Sequence, residues 1–200
     1  MFSNDSSKVN QMSKKISICK AIETVKQKNV TLTINKENCV CPGGRHFIGL
    51  EILPIETLVP AVTSKRHRVY ESTDIALASL RKQPQPAKRG DYLTLGPLEK
   101  FEDNPDLVLF VATPAEADRI LGLLSFKGAE PFMYYPASSI CSTLTNTLAK
   151  GRPEINLISK FERTEGTWSS GELILAMPLK DFKAAIENIP NSGYVEKIPS

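Results

Sequence analysis

The sequence predicts an α+β fold, a single domain with a mixed or antiparallel sheet and helices packed on it, and three observations lead there. Apolar residues recur at helical spacing in several stretches, short β-branched and aliphatic runs stand between them, and 200 residues suit one core better than two. Hydrophobic residues at 41% and charged residues at 24% are ordinary globular proportions, which excludes a fibrous, mucin-like or wholly disordered chain.

The elements follow in order. Residues 1–12 are polar and read as a flexible tail ahead of a domain over 13–200, with an internal boundary near 83–90. Ile18, Ala21, Ile22 and Val25 predict a helix from Ser13 to Gln27, ended by Asn29. The alternating stretch from Val30 to Ile34 reads as a short strand, and it runs into Cys39-Val40-Cys41-Pro42-Gly43-Gly44, read as a loop. Phe47 to Ile55 is apolar without a period and is left between strand and short helix. Ser72 is placed to cap a helix ending at Lys82, where Gln83-Pro84-Gln85-Pro86 begins an exposed linker reaching Gly90.

Beyond the linker, Tyr92 to Leu95 and Leu107 to Val111 read as strands, the second apolar enough to be buried on both faces and to form the centre of a C-terminal sheet. Thr113-Pro114-Ala115-Glu116 carries an N-cap, a proline suited to the first helical position and a capping-box glutamate, so a helix begins there with Ala117, Ile120, Leu121 and Leu124 on its apolar face. Ser138 or Ser139 caps a further helix bearing Ile140, Leu144 and Leu148 and stopped by Gly151. Ile155 to Ile158 and Leu173 to Met177 are strand-like, and Pro178 opens a helix with Phe182, Ala185, Ile186 and Ile189. The pattern suggests an internal repeat of two strand-strand-helix units.

Composition also limits function. No stretch reaches the roughly 20 apolar residues of a membrane span, and the polar start lacks the apolar core of a secretory signal, so a cytoplasmic protein without a membrane partner is expected. Residues 1 to 90 hold 15 Lys and Arg against 7 acids, and the remainder 10 against 15. Lys65-Arg66-His67-Arg68 is the densest basic run, yet no stacking aromatics are interleaved with it and no nucleic-acid-binding signature occurs, so a solvated surface is the better reading and nucleic acid is not expected as a partner.

The chemistry rests on a short list. Four cysteines are too few for a disulfide scaffold and read as thiols, metal ligands or redox groups. Cys41-Pro42-Gly43-Gly44, with Gly49 soon after, is the most unusual passage: it is a tight turn with a buried cysteine, or a place where glycine backbone approaches a ligand. Cys39 and Cys41 are too closely spaced for a zinc knuckle, and no second pair follows. Cys141 falls in the first turn of its helix, where N–H groups and the macrodipole favour a thiolate, so it is a nucleophile, a ligand or a small buried hydrophobe. Cys19 borders the apolar face of the first helix. His46 and His67 are the only histidines, and a Cys41/His46 dyad is one option among these. Walker loops, dinucleotide fingerprints, H-E-x-x-H and G-x-S-x-G are all missing from the sequence.

Taken in order, Cys19 with Ala21, Cys41-Pro42-Gly43-Gly44 with Gly49-Leu50, Pro105-Asp106-Leu107-Val108-Leu109-Phe110, Thr113-Pro114-Ala115, Ser138-Ser139-Ile140-Cys141 and Gly151-Arg152-Pro153 resemble the archaeal and bacterial family called domain of unknown function 169. The resemblance brings no activity with it. It implies that Cys19, Cys41 and Cys141 stand where members carry cysteine, with Cys39 an extra, and that Ser159-Lys160-Phe161-Glu162-Arg163 replaces a glycine- and cysteine-containing run.

Two functional expectations result, and whether the protein is an enzyme stays open. In the first, Cys19, Cys41 and Cys141, bordered by Gly43 and Gly44, hold an iron–sulfur cluster or another metal, with Cys39 or an exogenous group as fourth ligand, in a role involving a small molecule or redox partner. In the second, the glycine loop with Arg45 and His46 receives an anionic ligand in a non-catalytic binding module. Self-association into a homo-oligomer is left open. The first expectation requires the three sulfurs to converge on one pocket, within roughly 7 Å of one another.

Overall fold

The computed structural model of the chain describes residues 15–65, 69–85, 89–128 and 139–193. The expected N-terminal tail, Ser138 as a cap and most of the basic run at 65–68 lie outside the described residues. Eight α-helices and two small antiparallel sheets of two and three strands are found among those described, an α+β architecture.

The first sheet is local. Helix α1 (Ile18–Lys28) starts at Ser17, whose hydroxyl accepts the Lys20 N–H, and stops at Asn29 in the left-handed region (φ 52°). Strand β1 (Leu32–Asn35) pairs with β2 (Tyr92–Leu95), Leu32 opposite Leu95. Between them lie α2 (Pro42–Ile48), α3 (Val59–Thr63) and α4 (Thr73–Lys82), the last capped by Ser72 as the sequence suggests. The passage read as a loop is therefore helical from Pro42 onward. Proline suits the first helical turn, and Gly49 ends the helix at φ 82°, a conformation open to glycine; the two glycines at 43 and 44 mask this pattern in the sequence.

The second sheet organises the rest. Strands β3 (Leu107–Ala112), β4 (Glu154–Asn156) and β5 (Leu173–Pro178) lie in the order β3-β5-β4, so the central strand is β5 and the expected central strand, β3, stands at an edge. The burial agrees: Leu173 to Met177 are all buried, whereas β3 is largely half-buried. Because strand side chains alternate, Leu173, Leu175 and Met177 pack with Val108, Ala112 and Ala117 on one face, under α5 (Pro114–Ser125) and α8 (Leu179–Asn188). Ile174 and Ala176 point the other way, into the larger core with Ile18, Ile34 and Ile140.

The suggested repeat survives in half its length. β3 and β5 are antiparallel neighbours, each followed directly by a helix, and α5 packs on α8. The first strand of the first unit, β2, joins β1 instead. Helix α6 (Ile140–Lys150) lies on the opposite face, against α2, β4 and β5, and the short α7 (Lys160–Glu165) follows β4.

Candidate functional site

Helices α1, α2 and α6 bring the four cysteines to one region of the larger core. An isolated parallel bridge between Ile16 and Cys39, with the Val40 N–H donating to the Ile16 carbonyl at 3.0 Å, lays the Cys39–Cys41 segment beside the start of α1, where Cys19 sits in the first turn. Helix α6 crosses α2, and the Thr145 hydroxyl, which donates to the Phe47 carbonyl, fixes that crossing. Cys141 is the second residue of α6.

Cys41 is the N-cap of α2. Its Sγ accepts the Gly44 N–H at 3.2 Å, so sulfur takes the place usually held by a serine or aspartate oxygen. Gly44 is required by proximity: a Cβ there would meet Ile18 Cγ1 at 2.9 Å, Cys41 Cβ at 3.3 Å and Cys39 Sγ at 3.4 Å. All four cysteines are free thiols; Cys19, Cys39 and Cys141 are buried and Cys41 is half-exposed.

Burial pushes every one of these thiols upward, most strongly Cys141 and Cys19. The thiols also act on one another. Cys141 is raised further by Cys19, Cys41 and Cys39, and Cys19 by Cys41, which places the four within electrostatic reach. The start of α6 was expected to favour a Cys141 thiolate. Its position is as expected, but burial outweighs the helix end, and a carboxylate has taken the favourable place.

That carboxylate is Glu162, the residue sequence reasoning missed. It is 1% exposed, and it accepts the backbone N–H of Ile140 at the head of α6 together with the N–H (2.8 Å) and hydroxyl (2.9 Å) of Ser159 at the head of α7. Asn156 adds a further side-chain hydrogen bond, and burial raises the carboxyl against these opposing donors. Glu162 raises both Cys19 and Cys141. The signal that could have found it is the Ser159-x-x-Glu162 capping box before a short helix.

Charges of both signs act on Cys39 and Cys41. Burial raises both thiols; the backbone hydrogen bonds from Gly44 and Gly43 lower Cys41, Glu165 raises it and Arg45 lowers it less, and Arg45 also lowers Cys39. Arg45 is not a free cation: its Nη1 donates to Glu51 Oε2 at 2.6 Å. His46 is 1% exposed, and both its ring nitrogens are engaged, Nδ1 accepting the Leu53 N–H (3.2 Å) and Nε2 paired with Gln85 Oε1 (2.8 Å). A proton-transfer partner for Cys41 would have to give up one of those bonds.

Among the described residues, no group of three or more His, Cys, Asp or Glu side chains is arranged ready to hold a metal ion. No helix among them is long and apolar enough to cross a membrane.

Residues 1–188 match the model of the DUF169 family, described as uncharacterised ArCR, and the chain belongs to that family. The resemblance read from the ordered cysteine, glycine and proline motifs is thus confirmed along almost the whole sequence. Neither the curated proteins nor the solved structures contain a match.

Proposed function

We propose that this member of the DUF169 family uses Cys19, Cys41 and Cys141, with Cys39 as the available fourth sulfur, to bind a thiophilic metal, in first preference an iron–sulfur cluster. One observation carries the reading: four free thiols, two in the first turns of α1 and α6 and two in the segment leading into α2, gather at the larger core, with the buried Glu162 carboxylate acting on Cys19 and Cys141. Thiols that resist ionisation together are the arrangement a bound cation would reverse, since metal coordination deprotonates a thiol outright.

The donor chemistry fits the group. Soft sulfur ligands suit zinc and iron–sulfur clusters, and ligands gathered from distant segments are held by the fold. The side chains are not already in ligand geometry, so binding requires the thiols to turn toward a common centre. Bound there, such a group would supply electron transfer or Lewis acidity. The chain's own residues hold the pocket: Gly44 permits the approach of Ile18 and Cys39, Glu162 joins the heads of α6 and α7, and Thr145 ties α6 to α2. Free thiols in this number suit a reducing compartment, and the cytoplasm is the location we assign.

The anion-binding alternative is less well supported, because Arg45 is paired with Glu51 and the Gly44 N–H is committed to Cys41. Anaerobic purification followed by metal analysis and ultraviolet-visible spectroscopy tests the proposal. Stoichiometric iron or zinc, lost in Cys19→Ser, Cys41→Ser and Cys141→Ser with the fold retained, is the expected result. A chain that takes up neither iron with sulfide nor zinc, or whose uptake is indifferent to all three substitutions, refutes it.

A further inference from the structure

Strand β3 is an outer strand of its sheet, and it pairs with β5 residue for residue from Leu107 to Ala112, without a bulge. Alternate residues of a strand turn their N–H and C=O groups to opposite sides, so half of these residues turn theirs away from β5. Among the described residues, no backbone hydrogen bond meets that outer side. The devices that normally blunt an edge are missing from it, since Leu107-Val108-Leu109-Phe110-Val111-Ala112 contains no proline and no charge. The other edge of the same sheet has them. There β4 is three residues long, follows Pro153, and turns the Glu154 carboxylate inward to Lys150 and Arg152.

The unprotected edge also has a side wall and a charge at each end. Phe110, Val111 and Ala112 form a shallow groove with Glu116, Arg119 and Ile120 of α5. Val108, Phe110 and Ala112 belong to the face that α5 covers, and the same alternation, continued one step before the strand, gives Asp106 that face too. Arg119 and Asp106 thus stand at opposite ends of one edge, the first half-buried and the second exposed. Neither makes an ion pair or a hydrogen bond with another described residue.

We propose that the β3 edge is an interface for a second copy of this chain, the two β3 strands pairing antiparallel about a twofold axis through Leu109, so that two three-stranded sheets become one. An antiparallel partner must itself offer an unpaired, uncharged edge, and β3 offers one to its own copy. Opposed residues of an antiparallel pair share a face, so the axis passes through a residue and not between two. With Leu109 on the axis, Val108 lies opposite Phe110 of the other copy and Asp106 opposite Ala112. Each Asp106 then meets the groove in which the other copy's Arg119 stands, twice in the dimer. An axis through Phe110 would carry Asp106 past the strand end to Pro114, so the charges select Leu109. The interface does not depend on a metal at the thiols.

The test is sedimentation equilibrium of the full chain in low-salt buffer, from roughly 1 μM to 1 mM. A monomer–dimer equilibrium is expected. Asp106→Arg and Arg119→Asp each turn two attractive contacts per dimer into repulsive ones and should weaken association about tenfold, whereas the two substitutions together exchange the charges and should restore it to within about threefold of the wild type. Backbone amide exchange in residues 107–112 should slow at alternate positions as the dimer forms. A chain that stays monomeric throughout that range, or a dimer whose 107–112 amides exchange as fast as the monomer's, overturns the proposal. So do single reversals that leave association unchanged or that the double substitution fails to rescue.

Discussion

Raising the pH should unfold this protein through its thiols, and the size of the effect follows from where they sit. Cys19 and Cys141 are raised by burial well above the ordinary thiol value, so the folded chain keeps both protons in a range where the unfolded chain, with thiols near pKa 8.5, releases them. The folded state then binds more protons than the unfolded one, and stability falls as pH rises above the unfolded value. Each retained proton contributes a slope of about 1.4 kcal/mol per pH unit, so the two deep thiols together give roughly 2.7 kcal/mol per unit above pH ~9. That is a large part of a typical stability of about 5–15 kcal/mol. The assay is urea unfolding from pH 7.5 to 10.5, with chelator and reductant, for the wild type and Cys141→Ala. At pH 7.5 the variant should be less stable by about 1 kcal/mol, from the small cavity left by one sulfur. Its slope above pH 9 should be shallower by about 1.4 kcal/mol per unit, so the two curves approach and cross. Parallel curves over that range would refute the burial of Cys141 as a protonated thiol.

Leu175, fully buried in the central strand, tests the sheet order: Leu175→Asp should cost several kcal/mol by urea unfolding and leave little folded protein, and a loss below about 1 kcal/mol would contradict the placement of β5. Gly44→Ala should cost about 1–3 kcal/mol, since the added Cβ runs into Ile18 Cγ1 at 2.9 Å; it should also change the alkylation rates of Cys39 and Cys41 by mass spectrometry, and an unaltered melting temperature would argue against the close approach. Glu162→Ala leaves the buried Ile140 N–H and the Ser159 N–H without their shared acceptor and should cost roughly 2–4 kcal/mol, with amide exchange accelerated first at the heads of α6 and α7; uniform exchange rates would remove Glu162 as the joint between them.

The elements that carry their own punctuation were legible. Ser72 and Lys82 bound α4, Thr113-Pro114-Ala115-Glu116 opens α5 with both halves of its capping box formed, Ser139 caps α6, and Asn29 ends α1 in the left-handed region, because these signals act within one turn of chain. Pairing was not legible, since it is decided by distant partners. β2 and β3 follow one another in sequence yet belong to different sheets, and β5 displaces β3 from the centre because both of its faces find a core. The cysteines could be chosen from type and resemblance, but the company they keep could not. Glu162 enters from beyond β4 through a helix of six residues, and nothing in its local sequence announces that its carboxylate is shared with α6.

The site also explains why α6 is a polar helix in a buried place. Ser142, Thr143, Thr145, Asn146 and Thr147 are all buried, a composition that would normally exclude a core helix. The hydroxyls solve the difficulty: within the helix Thr143 donates to the Ser139 carbonyl at 3.0 Å and Thr147 to the Thr143 carbonyl at 2.9 Å, while Thr145 gives its one proton to the Phe47 carbonyl of α2. Such back-bonding favours bending, and it leaves small side chains where leucine or phenylalanine would fill the space beside Cys141. A wholly apolar α6 would pack more tightly but could not make the Thr145 bond to the Phe47 carbonyl that ties α6 to α2. The polar helix is thus the element that ties α2, with Cys41 at its head, to α6, with Cys141 in its first turn, across the larger core.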